Sequence, residues 1–253
     1  MHYHIITIFP EIFDSFLSTS LIARAIEDEK IFVDIVNPRD FCTDKNRQID
    51  DEPYGGGAGM LIKAQPVIDA LKSIVEKKEE KKEKRKMKIL LLNPSETIYG
   101  QEMAHQIVDT YTDTVLICGR YEGIDERVKL WCEREIIQTP TPEGTPSPYQ
   151  GTTVAWDWEG EINVDFQVVS LGQYVTLWGE VPAMAVIEST ARLVPGVIHD
   201  ECSRQYESYR PKQGMTNIEH PHYTRPQEVE WFEVPDVLLS GHHEEIRKWR
   251  EWG

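Results

Sequence analysis

The residues best equipped for chemistry lie in one uninterrupted segment, CGRYEGIDER, from Cys118 to Arg127. It follows directly on the apolar run DTVLIC. That position puts Gly119, Arg120, Tyr121 and Glu122 at the carboxyl edge of a parallel sheet, where open α/β folds bind their ligands. Arg120 can hold an anion or stack on a base, Tyr121 offers a stacking face, and Glu122 can accept hydrogen bonds from an amide-and-amine edge such as guanine's. Asp125 and Glu126 read as structural, paired with Arg127 to cap the following helix. NPSET after KILLLN, and SLGQYV after VDFQVV, end strands at the same edge. Three strand-end loops are therefore expected to converge on one small molecule.

Other candidates carry less. YGGGAGM, Tyr54 to Met60, has four glycines in five positions, so its backbone can take positive φ and admit close approach. It lacks the Lys-Ser/Thr of a phosphate-binding P-loop and follows no strand, which excludes nucleotide binding of that kind. His220, His222, His242 and His243 have no third or fourth ligand type at usable spacing and read as core or surface histidines, so no metal site is expected. Cys42, Cys118, Cys132 and Cys202 are too irregularly spaced for a zinc knuckle or a redox pair.

The elements that position these residues follow from hydrophobic period. HYHIITIF is a strand, Pro10 opens a helical pattern through Ile22, and IFVDIVN is a second strand ended by Pro38. Residues 42–60 form a long loop, and a helix runs from Gln65 to Glu76. From Glu76 to Lys88 the chain holds eight basic and four acidic residues, read as a solvated helix end rather than an RNA-contacting patch. The strands after it are continuously apolar and alternate with helices, which implies a parallel sheet covered on both faces. PTPEGTPSPYQGT must loop out, and VPAMAVIESTARLV is a strongly apolar helix stopped near Pro195 and Gly196. Forty per cent apolar and 28% charged residues mark an ordinary globular chain. With no leader-like start and no apolar run of about 18 residues, a cytoplasmic protein without membrane contact is expected. The net charge of −16 weighs against a polyanionic partner.

Taken together, ITIFPEIFD, NPRDF, DDEPYGGGAGM, CGRYEGIDER, ESTARLVPGV, HPHYTRP and PDVLLSGHHEEIRKWR resemble the bacterial tRNA (guanine-N1)-methyltransferases, the TrmD family of the SPOUT superfamily. The resemblance implies an α/β fold: a SPOUT-type, trefoil-knotted parallel-sheet domain over residues 1–196, with an insertion at about 137–165. An interdomain lid would occupy 197–217, and a shortened helical tRNA-binding domain 218–253. It implies a homodimer that transfers a methyl group from S-adenosyl-L-methionine to N1 of the guanosine 3' of the anticodon, at position 37 of tRNA. Cofactor contacts fall on Pro94, Gly119, Leu171, Gly172, Gln173, Tyr174, Val175 and Thr176. Arg120, Tyr121, Glu122 and Ser208 fall at the substrate, with Glu122 against guanine. Guanine N1 carries a proton at neutral pH, so a base is needed. The resemblance assigns that task to Glu207, with Arg192 stabilising charge on O6.

The chain departs from the family pattern in three places. Glu207-Ser208-Tyr209 stands where the family has Asp-Ser-Phe, one methylene longer in the base. In LGQYVTLWGE, Gln173 replaces an aspartate and Trp178 a glycine, which predicts a narrower pocket. The chain stops at Gly253, so RNA contact is expected from Arg210, Lys212, Arg225, Arg247, Lys248 and Arg250 across a dimer. A non-catalytic RNA-binding descendant and a SPOUT methyltransferase of another RNA position stay open at this point. So does a magnesium requirement, which no residue pattern encodes.

Overall fold

The computed structural model describes residues 1–79, 85–136, 162–199, 207–209 and 218–252. The chain divides into two compact units, Met1–His199 and Asp200–Gly253. The first is built on a five-stranded, wholly parallel sheet of β1 (His2–Ile6), β2 (Phe32–Val36), β5 (Arg85–Leu92), β6 (Asp113–Cys118) and β7 (Ile162–Val169). Their order across the sheet is β2-β1-β6-β5-β7. Two short strands, β3 (Asp50–Asp51) and β4 (Leu61–Ile62), pair separately as an antiparallel hairpin flanking the glycine-rich loop.

The central strands are apolar on both sides because both faces are covered. On β6, Val115 and Ile117 face one core, shared with Ile89 and Leu91 of β5 and with Val67 and Leu71 of α3 (Ala64–Glu79). Leu116 and Cys118 face the other, with Leu90 of β5, Ile107 of α4 (Gln101–Thr110), and Ala183, Val186 and Ile187 of α6 (Glu180–Ala191). Burial of each such aliphatic side chain stabilises the fold by about 1.5–3 kcal/mol. The second unit carries the hairpin of β8 (Glu228–Val229) and β9 (Phe232–Glu233), then α7 (Asp236–Leu239) and α8 (His243–Trp252).

Several expected boundaries move for local reasons. The helical pattern from Pro10 breaks into a 3-10 turn (Pro10–Phe13), α1 (Asp14–Leu17) and α2 (Ser20–Glu27), with Ser20 at φ 55° at the start of α2. Leu21, expected on the apolar side, is exposed as a result. The basic run does not end as a solvated helix. Its residues from Arg85 belong to β5, and Lys88 is buried with its Nζ 2.6 Å from Asp165 Oδ2. A lysine stem can line a sheet when its ammonium finds a carboxylate at the edge. Asp125 accepts from the backbone amide of Arg127 and from its guanidinium, as expected of a cap at the head of α5 (Arg127–Trp131). Glu126 pairs with Lys129 instead of Arg127. The segment read as an insertion reaches into the sheet, since β7 begins at Ile162, and residues 137–161 lie outside those described.

Candidate active site

All five parallel strands deliver their carboxyl ends to one edge, and three of the following loops meet there. The loop after β5 and the loop after β7 are tied by backbone bonds, Tyr99 N to Ser170 O (2.7 Å) and Ser170 N to Thr97 O (2.9 Å). The chain then crosses the end of β6, where Gly179 N donates to Gly119 O at 2.9 Å. A Cβ on Gly179 would overlap Gly119 N and lie 2.8 Å from Cys118 Cα. Only glycine permits this crossing.

Between the loops lies a solvent-open cavity of about 290 Å³, at the lower end of ligand-site volumes. Pro94, Gly119, Leu171, Tyr174, Val175 and Thr176 line it together with Arg120, Tyr121 and Glu122. Six of the eight predicted cofactor residues, with Arg120, Tyr121 and Glu122 of the predicted substrate set, are thus brought to one cavity by three separate loops. Gly172 and Gln173 stand just behind this lining. Gly172 exchanges hydrogen bonds with Ser170 Oγ, and its missing Cβ leaves room for the Tyr174 ring, while Gln173 points to solvent. The nine lining residues just named are half-buried or exposed, as a site that must admit a ligand requires: Tyr174 is 59% exposed and Val175 81%.

Arg120 is held from three sides. Its Nε lies 3.2 Å from Glu180 Oε2, and its guanidinium stacks between the rings of Phe9 (4.2 Å) and Trp178 (4.3 Å). Glu180 is fully buried in the first turn of α6 and accepts a second bond from Thr7 Oγ1 at 2.7 Å. A buried carboxylate needs such partners, and the α6 amino terminus adds a favourable dipole. Burial, reinforced by the Glu180 charge, holds the Cys118 thiol far above its ordinary range. It is therefore no nucleophile at neutral pH.

Glu122 rests on the glycine-rich loop. Its backbone amide donates to Met60 O at 3.0 Å, and a Cβ on Gly59 (φ +83°) would overlap Glu122 Cγ and come within 2.8 Å of Oε1. The loop that sequence pattern could not use is a seat for this carboxylate. Gly59, Thr7, Phe9 and Glu180 are the residues that sequence reasoning missed. The one available signal was an acidic residue opening an otherwise apolar helix at Glu180. The indole of Trp178 is absent from the cavity lining because it turns onto Arg120, which corrects the expectation of a narrowed pocket.

Arg192 is half-buried and ends α6. Glu207 and Ser208, in the second unit, are also half-buried, and Ser208 Oγ accepts from Glu219 N at 2.9 Å. Of the basic residues expected to contact RNA, Arg210 and Lys212 lie outside those described. No helix among the described residues is long and apolar enough to cross a membrane.

A family model described as tRNA (Guanine-1)-methyltransferase TrmD matches residues 1–138 and 158–253. The unmatched residues 139–157 fall inside the segment read as an insertion. The tRNA (guanine-N(1)-)-methyltransferase of Clostridioides difficile is 38% identical over 250 residues, covering 99% of this chain and 90% of that protein. The protein of the same name from Clostridium perfringens is 40% identical over 250 residues, covering 99% and 86%. That of Nostoc sp. is 37% identical over 252 residues, covering 99% and 82%.

Proposed function

The chain belongs to the tRNA (guanine-1)-methyltransferase family, and from that premise we propose that it methylates N1 of guanosine 37 in tRNA with S-adenosyl-L-methionine as donor. The observation that carries the reading is the cavity where Pro94, Gly119, Leu171 and Tyr174 meet the seated carboxylate of Glu122. Membership also supports a trefoil-knotted first domain, a small C-terminal tRNA-binding domain, a homodimer and a cytoplasmic location. The crossing of the chain at Gly179 over the end of β6 is compatible with such threading.

The residues present suit the donor. Backbone groups of the 171–176 loop and Gly119 offer paired donors and acceptors for an adenine edge, and Tyr174, Val175, Leu171 and Pro94 give apolar walls. Gly172, Gln173 and Thr176 complete the loop that would hold it. When bound, S-adenosyl-L-methionine supplies an electrophilic methyl group on a sulfonium centre.

The chain's own groups prepare the acceptor. Glu122 accepts hydrogen bonds from the guanine edge, Tyr121 stacks, and Arg120 keeps this segment in place through Glu180. Glu207 takes the N1 proton, freeing the lone pair that forms the new N–C bond. Arg192 offsets the negative charge that deprotonation leaves on O6. Ser208 steadies the turn that carries Glu207. The longer glutamate arm shifts the base by about one C–C bond, and errors of about 1 Å cost on the order of 100-fold in rate, so turnover below that of an aspartate-bearing relative is expected. Arg225, Arg247, Lys248 and Arg250, with Arg210 and Lys212, would concentrate positive charge for the tRNA on an otherwise acidic protein.

Radiolabelled S-adenosyl-L-methionine incubated with transcripts bearing guanosine or adenosine at position 37 tests the reading. Label is expected only in the guanosine transcript. Equal labelling of both would move the reaction to another position, and no labelling would leave an RNA-binding protein without this activity.

A further inference from the structure

A second cluster of chemically capable side chains lies at the other end of the sheet. The strands are parallel, so the amino ends of β1 and β6 come together, and His2 pairs with Asp113 in register. The cluster and the cavity are separated by the length of β6, six residues or about 20 Å at roughly 3.3 Å per residue. It plays no part in the chemistry above.

His2 and His4 share one face of β1, their rings 4.2 Å apart. His4 Nε2 lies 3.0 Å from Asp113 Oδ1, and His2 Nδ1 lies 3.9 Å from the same oxygen. One ligand atom from each of His2, His4 and Asp113 falls within 4.8 Å of the other two. From β2, Asp34 Oδ2 approaches His2 Nε2 at 2.9 Å and His4 Nδ1 at 3.5 Å. His4 and Asp113 are buried, while Asp34 stands at the solvent rim. β5 contributes Arg85, whose Nη1 is 3.2 Å from Asp113 Oδ1, and Thr112 Oγ1 donates to Asp113 Oδ2 at 2.8 Å.

We propose that His2, His4 and Asp113 bind a divalent transition-metal ion of the zinc class through one nitrogen of each imidazole, with Asp34 orienting the two rings from the rim and the fourth position open to water. Two imidazoles and one carboxylate with a fourth position open are a zinc-type donor set. Metal-to-ligand bonds of about 2.0–2.1 Å in a tetrahedron separate neighbouring ligand atoms by about 3.3 Å. His4 Nε2 and Asp113 Oδ1 lie 3.0 Å apart and the three ligand atoms all fall within 4.8 Å of one another, so small side-chain rotations bring them to that spacing. Charge agrees: with neutral imidazoles, two carboxylates and Arg85 sum to −1, which a divalent ion overcomes. Thr112 Oγ1 at Oδ2 and Arg85 Nη1 across both oxygens, at 3.2 and 3.3 Å, orient the Asp113 carboxylate, as supporting groups do in metal sites. Binding releases the protons now shared between the histidines and aspartates. Because the ion would join β1 and β6, its effect is on stability and not on methyl transfer.

The test uses the full chain freed of metal by a chelator, then titrated with zinc against a competing chromogenic chelator, and separately with cobalt(II). His2→Gln and Asp34→Asn are the informative variants, because both sites have some exposure and neither change empties the core. One equivalent of tight zinc, a visible cobalt spectrum of tetrahedral intensity and a zinc-dependent rise in Tm are expected of the unaltered chain. Zinc affinity should fall at least 10-fold in each variant, with the Tm response lost in His2→Gln. Unchanged affinity in His2→Gln would place the metal on other histidines and overturn the proposal. So would the absence of micromolar zinc binding in the unaltered protein, which would leave the cluster as a network of shared protons.

Discussion

Replacing Gly59 by alanine changes one methyl group and tests whether the glycine-rich loop exists to seat Glu122. At φ +83° an alanine is strained, by about 1–2 kcal/mol. The added Cβ also occupies the space of Glu122 Cγ and sits 2.8 Å from Oε1. Contact between non-bonded carbons needs roughly 3.5–4.0 Å, so the carboxylate must move by about 1 Å or more. The neighbouring backbone cannot give way easily, since Met60 O accepts from Glu122 N and Ile62 N donates to Gly123 O. A displacement of about 1 Å costs on the order of 100-fold in rate. Steady-state kinetics on the guanosine-37 transcript should therefore show kcat/KM for tRNA falling by about 10- to 100-fold. The dissociation constant for S-adenosyl-L-methionine, read by calorimetry, should change less than about threefold. Glycines 55, 56 and 57 supply the internal control, because a Cβ there meets nothing closer than 3.8 Å. Gly56→Ala is expected to share the backbone strain and leave kcat/KM near its original value. Equal losses in Gly59→Ala and Gly56→Ala would refute the seat and attribute the effect to loop strain alone.

Three further outcomes follow from the same contacts. Glu180→Ala removes the carboxylate beneath Arg120 and leaves the stacked guanidinium and the Thr7 hydroxyl without it; urea unfolding should show a loss of about 3–5 kcal/mol. Trp178→Gly deletes one ring of the Arg120 sandwich but removes no residue that lines the cavity, so calorimetry should find S-adenosyl-L-methionine affinity within about threefold, with stability lower by about 0.5–2 kcal/mol. Asp165 is raised by burial, but hydrogen bonds from Lys88 and Tyr111 outweigh this and leave its carboxyl below the ordinary range. A depressed carboxylate contributes stability above its unfolded pKa, about pH 4, and loses it as pH falls through the folded value. Asp165→Asn should consequently flatten the acid limb of a stability-versus-pH curve below about pH 4 while lowering the plateau above it.

The architecture of the first unit was largely legible because its signals are local. Apolar runs without alternation specify strands buried on both faces, as in β5 and β6, whereas the edge strands β2 and β7 carry polar residues such as Asp34 and Asp165. The boundaries that moved are those where tertiary pairing overrides local pattern. Lys88 is charged yet buried, because a strand 77 residues away brings Asp165 to it. The candidate site shows the same division. Glu122 and Gly119 stand out in a segment that follows a strand, whereas Gly59 acts on Glu122, Thr7 on Glu180 and Phe9 on Arg120 from loops that sequence places far away. No periodicity records that Gly59 faces Glu122, since the relation exists only once β4 lies beside Gly123. The His2 and His4 pair escaped notice for a like reason, as their partners Asp113 and Asp34 come from other strands.

Trp178 illustrates how a departure in sequence can leave a site intact. A glycine-to-tryptophan change in a ligand loop suggests obstruction when the positions are read along a line. In three dimensions the close approach to β6 is made one residue later, at Gly179, whose amide bonds Gly119 O and whose α-carbon has no room for a side chain. Residue 178 is thereby turned away from the cavity, and its indole lies over Arg120 opposite Phe9. The ring lends Arg120 a second stacking partner, while Glu180, next after Gly179, fixes the same guanidinium by charge. Two consecutive requirements, a backbone crossing at Gly179 and a buried anion at Glu180, therefore confine what position 178 can do. They direct a bulky substitution toward reinforcing the segment that carries Glu122.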